Sequence, residues 1–137
     1  MQGNHKGADI LQRHTTLPAA RWDYYAQADR SLVAEMDRGL LFLVAFWSGP
    51  ALQSFARLTE ALQRFPEEEI SLTVVDVDGA DDLCRLDGLR EIACLYGTGE
   101  LVFVRDGQIR QIVRGGNLSP EQYEQHIQAF LAESSEA

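Results

Sequence analysis

The sequence predicts an α/β chain built on a central mixed β-sheet with helices on both faces. Three observations lead there. Strand-like apolar runs alternate with segments of helical periodicity, the order expected of strands joined by helices across a sheet. The run from Leu40 to Trp47 is apolar on both sides, as a strand covered by two layers must be. Near the end of the chain, Asp106-Gly107 separates two apolar runs. That dipeptide favours a two-residue hairpin turn and so an antiparallel pair.

The elements follow in order. Residues 1–19 are polar, with Gly3, Gly7 and Pro18, and are expected to form a flexible tail with one helical turn from Ala8 to His14. Residues 20–133 are the domain and residues 134–137 a second tail. Arg21 to Ala26, with Trp22, Tyr24 and Tyr25, suits a short strand. Asp29 or Ser31 caps a helix through Met36, with Leu32, Val33 and Met36 on one face and Gly39 as its stop. After the central strand, Ser48-Gly49-Pro50 opens a helix, proline being suited to a first turn. Its apolar positions Leu52, Phe55, Leu58, Leu62 and Phe65 recur at helical spacing. Ile70 to Asp78 reads as a strand, Asp81 to Leu86 as a short helix, and Leu101–Val104 with Ile109–Val113 as the hairpin. Ser119-Pro120-Glu121-Gln122 carries an N-cap, a proline at the first position and the reciprocal glutamine of a capping box. Tyr123, Ile127, Phe130 and Leu131 then form the buried stripe of the last helix.

Charge and composition exclude several classes. The chain has 137 residues with 21 acidic against 12 basic side chains, a formal net charge of -9. Such a surface repels phosphate backbones, which argues against nucleic-acid binding. It tolerates basic partners. No apolar run approaches the length of about 20 residues that a membrane span needs, and the first residues lack an apolar leader, so a cytoplasmic protein without a membrane partner is expected. The three histidines, His5, His14 and His126, are scattered, with no metal-ligand spacing to either cysteine; no metal or cofactor is expected. Cys84 and Cys94 are the only two cysteines. They read as free thiols of a reducing compartment, a disulfide between them being the alternative.

Four stretches resemble the thioredoxin family. Leu43-Val44-Ala45-Phe46-Trp47 is similar to that family's central strand, which ends in Phe-Trp. Ser48-Gly49-Pro50-Ala51 is similar to Cys-Gly-Pro-Cys with both cysteines replaced. Val75-Asp76-Val77-Asp78, followed by Gly88-Leu89-Arg90-Glu91-Ile92, resembles the third strand and the approach to the family's cis-proline. Phe103 to Gln108, followed by Gly115-Gly116-Asn117-Leu118-Ser119, resembles the final hairpin and the entry to the last helix. The resemblance spans about residues 21–132.

What the resemblance implies about chemistry is mainly a loss. Thiol-disulfide exchange needs an attacking thiolate and a second thiol to resolve the mixed disulfide. Ser48 stands in the attacking position, and its hydroxyl cannot cycle through a disulfide. Ala51 stands in the resolving position. The family's buried aspartate aligns with Ala45, and its cis-proline with Ala93, or with Gly99 in a second alignment; no proline occurs between Pro66 and Pro120. The loop before the motif is shorter than in the family, and the segment from Ala93 to Leu101 is longer. The family's peptide-gripping surface then corresponds to Trp47, Ser48, Gly49, Pro50, Ala51, Ala93 and Cys94, and no catalytic residue is expected.

The function expected is a redox-inactive protein- or extended-peptide-binding or chaperone module. Thioredoxin-like chaperones of hydrogenase maturation also lack the cysteine pair and recognise a basic twin-arginine signal peptide. Leu62-Gln63-Arg64-Phe65-Pro66 and the N-terminal helix-then-tryptophan layout resemble that group. Two enzyme readings stand beside it: a divergent oxidoreductase using Cys94, and an active thioredoxin whose cysteines were engineered to serine and alanine. A homodimer that buries the same surface is the third class.

Overall fold

The computed structural model describes residues 5–46, 49–66, 69–86, 89, 99–114 and 118–133. Five strands form one mixed sheet in the order β1-β3-β2-β4-β5. The strands are β1 (Trp22–Tyr25), β2 (Arg38–Val44), β3 (Ser71–Asp76), β4 (Glu100–Arg105) and β5 (Gln108–Val113). The helices are α1 (His5–Gln12), α2 (Ser31–Ala34), α3 (Gly49–Leu62) and α4 (Pro120–Ala132). Strands β1, β3 and β2 run parallel, while β4 runs antiparallel to β2 and to β5.

Alternation along the strands sorts the core into two layers, because successive side chains point to opposite faces. Leu40, Phe42 and Val44 of β2, Leu72 and Val74 of β3, and Leu101 and Phe103 of β4 face α3 and α4. Leu41, Leu43, Val75, Val102 and Val104 face the other way, onto Val33 of α2, Ala80, Leu83 and Leu89. The continuous apolar run of β2 is therefore divided between two cores. Tyr123, Ile127 and Phe130 of α4 are buried as its stripe requires, against Ala51, Phe55, Leu58 and Leu62 of α3.

Local chemistry fixes the ends of the later elements. Ser119 accepts from the Gln122 N–H at 3.2 Å, and the Gln122 side chain accepts from the Ser119 N–H at 2.8 Å, completing the capping box on α4. Asp106 and Gly107 both take positive φ, 54° and 76°, the pattern of the two-residue turn whose twist matches its strands. Arg105, 4% exposed, donates to the carbonyls of Phe130 at 2.7 Å and Glu133 at 3.0 Å, capping the far end of α4. Its guanidinium lies 4.7 Å from the centre of the Phe130 ring.

Four expectations are corrected. The segment before β1 is no loose tail through residue 17: Leu11 and Leu17 are buried in the α3 layer, and Thr15 Oγ donates to Thr59 Oγ at 2.6 Å. Its apolar residues are too sparse to announce a docked helix in the sequence. Helix α2 stops at Ala34, and Gly39 lies inside β2 rather than ending a helix. β2 ends at Val44, three residues before Trp47. The helix expected at Asp81 to Leu86 is a single 3-10 turn, Leu83–Arg85.

Candidate functional site

Because β1, β2 and β3 are parallel, their C-terminal ends share one edge of the sheet, and antiparallel β4 begins there. Chain crossings at that edge are where α/β sheets place their ligands. Phe46 and the start of α3 follow β2; Gly99 precedes β4; Val77 to Asp82 follow β3, which ends at Asp76; Ala26 to Asp29 follow β1.

Gly49 and Pro50 are exposed at the start of α3, and Ala51 is fully buried in the core beneath them. Trp47, Ser48, Ala93 and Cys94 lie outside the described residues. Of the expected surface, the structure thus places Gly49, Pro50 and Ala51 at the site edge. The Ala51 methyl group is sealed from solvent, and Ala45 is also fully buried.

Gly99 leads directly into β4. Its φ is +88°, and no cis peptide bond occurs among the described residues. A Cβ at Gly99 would sit 2.8 Å from Phe42 Cζ and 3.0 Å from Ser54 Cβ. Glycine there combines a left-handed turn with close approach of the backbone to α3.

The next residue, Glu100, is fully buried and pairs across the sheet with Leu43. Ser54 of α3 and Tyr123 of α4 are buried as well. Burial pushes the Tyr123 phenol above its ordinary range; Ser54 and Arg57 oppose the rise and Glu100 adds to it. A carboxylate therefore enters the site end from β4 while Ala45 offers none. The sequence pattern marks it only as one acidic residue opening an otherwise apolar strand, which is why it is absent from the expected surface.

On the β1 side, Tyr24 stacks edge-on against Phe46, with ring centroids 5.9 Å apart. Burial, with Asp76 adding to it, raises the Tyr24 phenol to about 12. Burial also raises the Asp76 carboxyl, although that carboxylate accepts from the Asp78 N–H at 2.9 Å. Beyond Asp76 lies an open cleft of about 520 Å³ lined by Gln27, Ala28, Asp29, Asp78, Gly79, Asp81 and Asp82. Arg30 neutralises one wall through an ion pair to Asp82 at 3.3 Å. Its backbone and side-chain hydrogen bonds hold the Asp82 carboxyl below the usual carboxylate range. The remaining aspartates give the cleft an acidic rim.

On the opposite sheet face, Cys84 is disulfide-bonded, and no described cysteine is free. The expectation of a free thiol at Cys84 is thereby corrected. The sequence holds one other cysteine, Cys94. Among the described residues, no cluster of three or more His, Cys, Asp or Glu side chains could hold a metal ion. No helix among them is long and apolar enough to cross a membrane.

No family model matches the sequence, and no curated protein matches it. Solved structures do match. The thioredoxin of Malassezia sympodialis superposes with a TM-score of 0.62 at 19% identity, over 80% of this chain and 90% of its own. A mutant thioredoxin of Halobacterium salinarum gives 0.61 at 21% identity, over 83% and 94%. Oxidised mitochondrial thioredoxin 3 of Saccharomyces cerevisiae gives 0.55 at 25% identity, over 73% and 85%. The chain has the thioredoxin fold. In this chain α1 lies N-terminal to the first strand.

Proposed function

We propose that this thioredoxin-fold chain is a redox-inactive module that binds an extended, basic segment of a partner protein at the edge formed by Trp47 to Ala51. The observation that carries the reading is Ala51. It stands in the resolving position, fully buried and packed into the core, where no exchange chemistry is available to it. The acidic cleft beside Asp78, Asp81 and Asp82 supports a basic partner, since complementary charge steers encounter and selects partners. A signal peptide of the twin-arginine kind, as in hydrogenase maturation, has that chemistry. A homodimer would compete for the same surface.

The test compares capture of client proteins by wild type and Trp47→Ala. Loss of capture supports the surface; equal capture removes it. A second reading, a divergent thiol-disulfide oxidoreductase using Cys94, is favoured by the disulfide at Cys84. In that reading NADPH, through thioredoxin reductase, reduces the disulfide to a dithiol, which passes two electrons and two protons to a client disulfide and is itself reoxidised. Insulin reduction with thioredoxin reductase and NADPH separates the two readings. Turnover abolished by Cys84→Ser sinks the binding-module reading, and absence of turnover sinks the enzyme.

A further inference from the structure

We propose that β5 is a second interaction surface, a sheet edge that takes up an extended acidic segment of another protein as an added strand. The sheet runs β1-β3-β2-β4-β5, so among the described residues β5 pairs on one side only, with β4. Its outer side presents backbone N–H and C=O groups, the template that strand addition uses. The strand is anchored from both faces. Ile109 and Ile112 pack against the α2 layer and Val113 against the α3 layer. The turn before it is tied down as well. The Asp106 N–H donates to the Asp37 carbonyl at 2.6 Å, and the Gly107 N–H to the Met36 carbonyl at 2.8 Å. A partner meets an edge that is already ordered, which lowers the entropic cost of binding.

Charge selects the partner. Residues 107–118 hold two arginines, Arg110 and Arg114, and no acidic residue, in a chain whose formal net charge is -9. Arg110 is exposed and has no ion-pair partner among the described residues. It also sits opposite no residue of β4. The ladder pairs Val104 with Ile109 and Phe103 with Gln111, so Arg110 is the extra residue of a β-bulge. A bulge re-aims the side chain it carries. Beyond it, Gln111, Ile112 and Val113 pair in regular register with Phe103, Val102 and Leu101, a stretch that a partner strand can follow. Edge charges and bulges also keep edge strands apart, but a guard made of arginine depends on sign. A neutral or basic strand must desolvate Arg110 without a partner, whereas an acidic strand brings it a carboxylate. A second copy brings either Arg110 again or the other sheet edge, β1, whose 4 residues make too short a ladder for a stable interface. This surface differs from the edge at Trp47 to Ala51, and its occupant carries the opposite charge.

The test titrates the intact chain with labelled peptides of one length. The acidic probe is Gly-Glu-Val-Thr-Val-Glu-Gly. One control has both glutamates replaced by lysine, and another is the acidic probe N-methylated at its three central residues, which removes its central backbone donors. Wild type is expected to bind the acidic probe at least about tenfold tighter than the lysine control, less tightly as salt is raised, and the N-methylated control not at all. On binding, amides of β5 exchange more slowly while those of α3 are unchanged. Arg110→Glu is expected to weaken the acidic probe by about fivefold or more and to turn the preference toward lysine. No binding of the acidic probe, equal affinity for the lysine control, undiminished binding after N-methylation, or an unchanged preference in Arg110→Glu would each overturn the proposal. A concentration-dependent dimer that Arg110→Glu abolishes would also overturn it, since the edge would then belong to a second copy. Should Arg110→Glu not fold, the comparison of peptides on wild type decides by itself.

Discussion

Gly99→Pro would put a proline at one of the two places, Ala93 and Gly99, where the thioredoxin resemblance puts one, and this chain is expected to reject it. The backbone at Gly99 has φ +88°, whereas proline is locked near −65°. The cost is first worked for alanine. Placing an L-residue in left-handed backbone costs about 1–2 kcal/mol. A Cβ 2.8 Å from Phe42 Cζ and 3.0 Å from Ser54 Cβ adds about 1–3 kcal/mol, since both neighbours sit in a packed core. Reduced freedom of the unfolded chain returns about 0.4–1 kcal/mol. Gly99→Ala should therefore lose about 1–5 kcal/mol, and Gly99→Pro more, because the turn itself must be rebuilt. At roughly 3–5 °C per kcal/mol for a chain of this size, the proline variant should melt more than about 10 °C below wild type. Urea denaturation of wild type, Gly99→Ala and Gly99→Pro measures the series. A proline variant within about 0.5 kcal/mol of wild type, a difference typical of inert surface changes, would refute the reasoning. It would mean that the approach to β4 takes the family's proline turn without cost.

Other consequences are equally open to measurement. Arg105→Met removes two hydrogen bonds to the end of α4 and the contact with the Phe130 ring; a loss of about 2–4 kcal/mol in denaturation is expected. The Asp76 carboxyl is raised by burial, so the folded state holds this proton more tightly than the unfolded chain does. Stability linked to Asp76 is full at acid pH and falls as pH rises through its folded pKa. Asp76→Asn should then stabilise at neutral pH and make little difference at strongly acid pH. Tyr24, raised to about 12 from 10.0, contributes stability that is full below 10 and lost as pH rises toward 12. Alkaline melting curves of Tyr24→Phe should lack that component. Reducing the Cys84 disulfide should cost about 2–4 kcal/mol and release thiols only after reductant is added. Thiol labelling of the untreated folded protein at Cys84 would contradict the bonded state.

Much of this architecture could be read directly from residues. The both-sided apolar run at Leu40 to Val44, the positive-φ pair Asp106-Gly107 and the Ser119–Gln122 capping box each act within a few residues. Their physics is complete in the local sequence, and they were enough to set the sheet, the hairpin and the last helix. The absence of cysteine from Ser48-Gly49-Pro50-Ala51 is likewise read directly from the sequence. Other features depend on partners distant in the chain. Leu11 and Leu17 look like stray apolar residues in a polar stretch until α3 and β1 supply a groove for them. Gly39 reads as a helix stop, because only the pairing of β2 with β3 and β4 shows it inside a strand. The burial of Glu100, the bonded state of Cys84 and the shifted Tyr24 phenol arise from low-dielectric surroundings or contacts assembled across the fold. Short-range patterning alone therefore determined which fold this chain adopts and that the Ser48-Gly49-Pro50-Ala51 motif holds no cysteine. Only tertiary packing decided what surrounds that motif, because burial and unmet hydrogen bonds are properties of assembled neighbours.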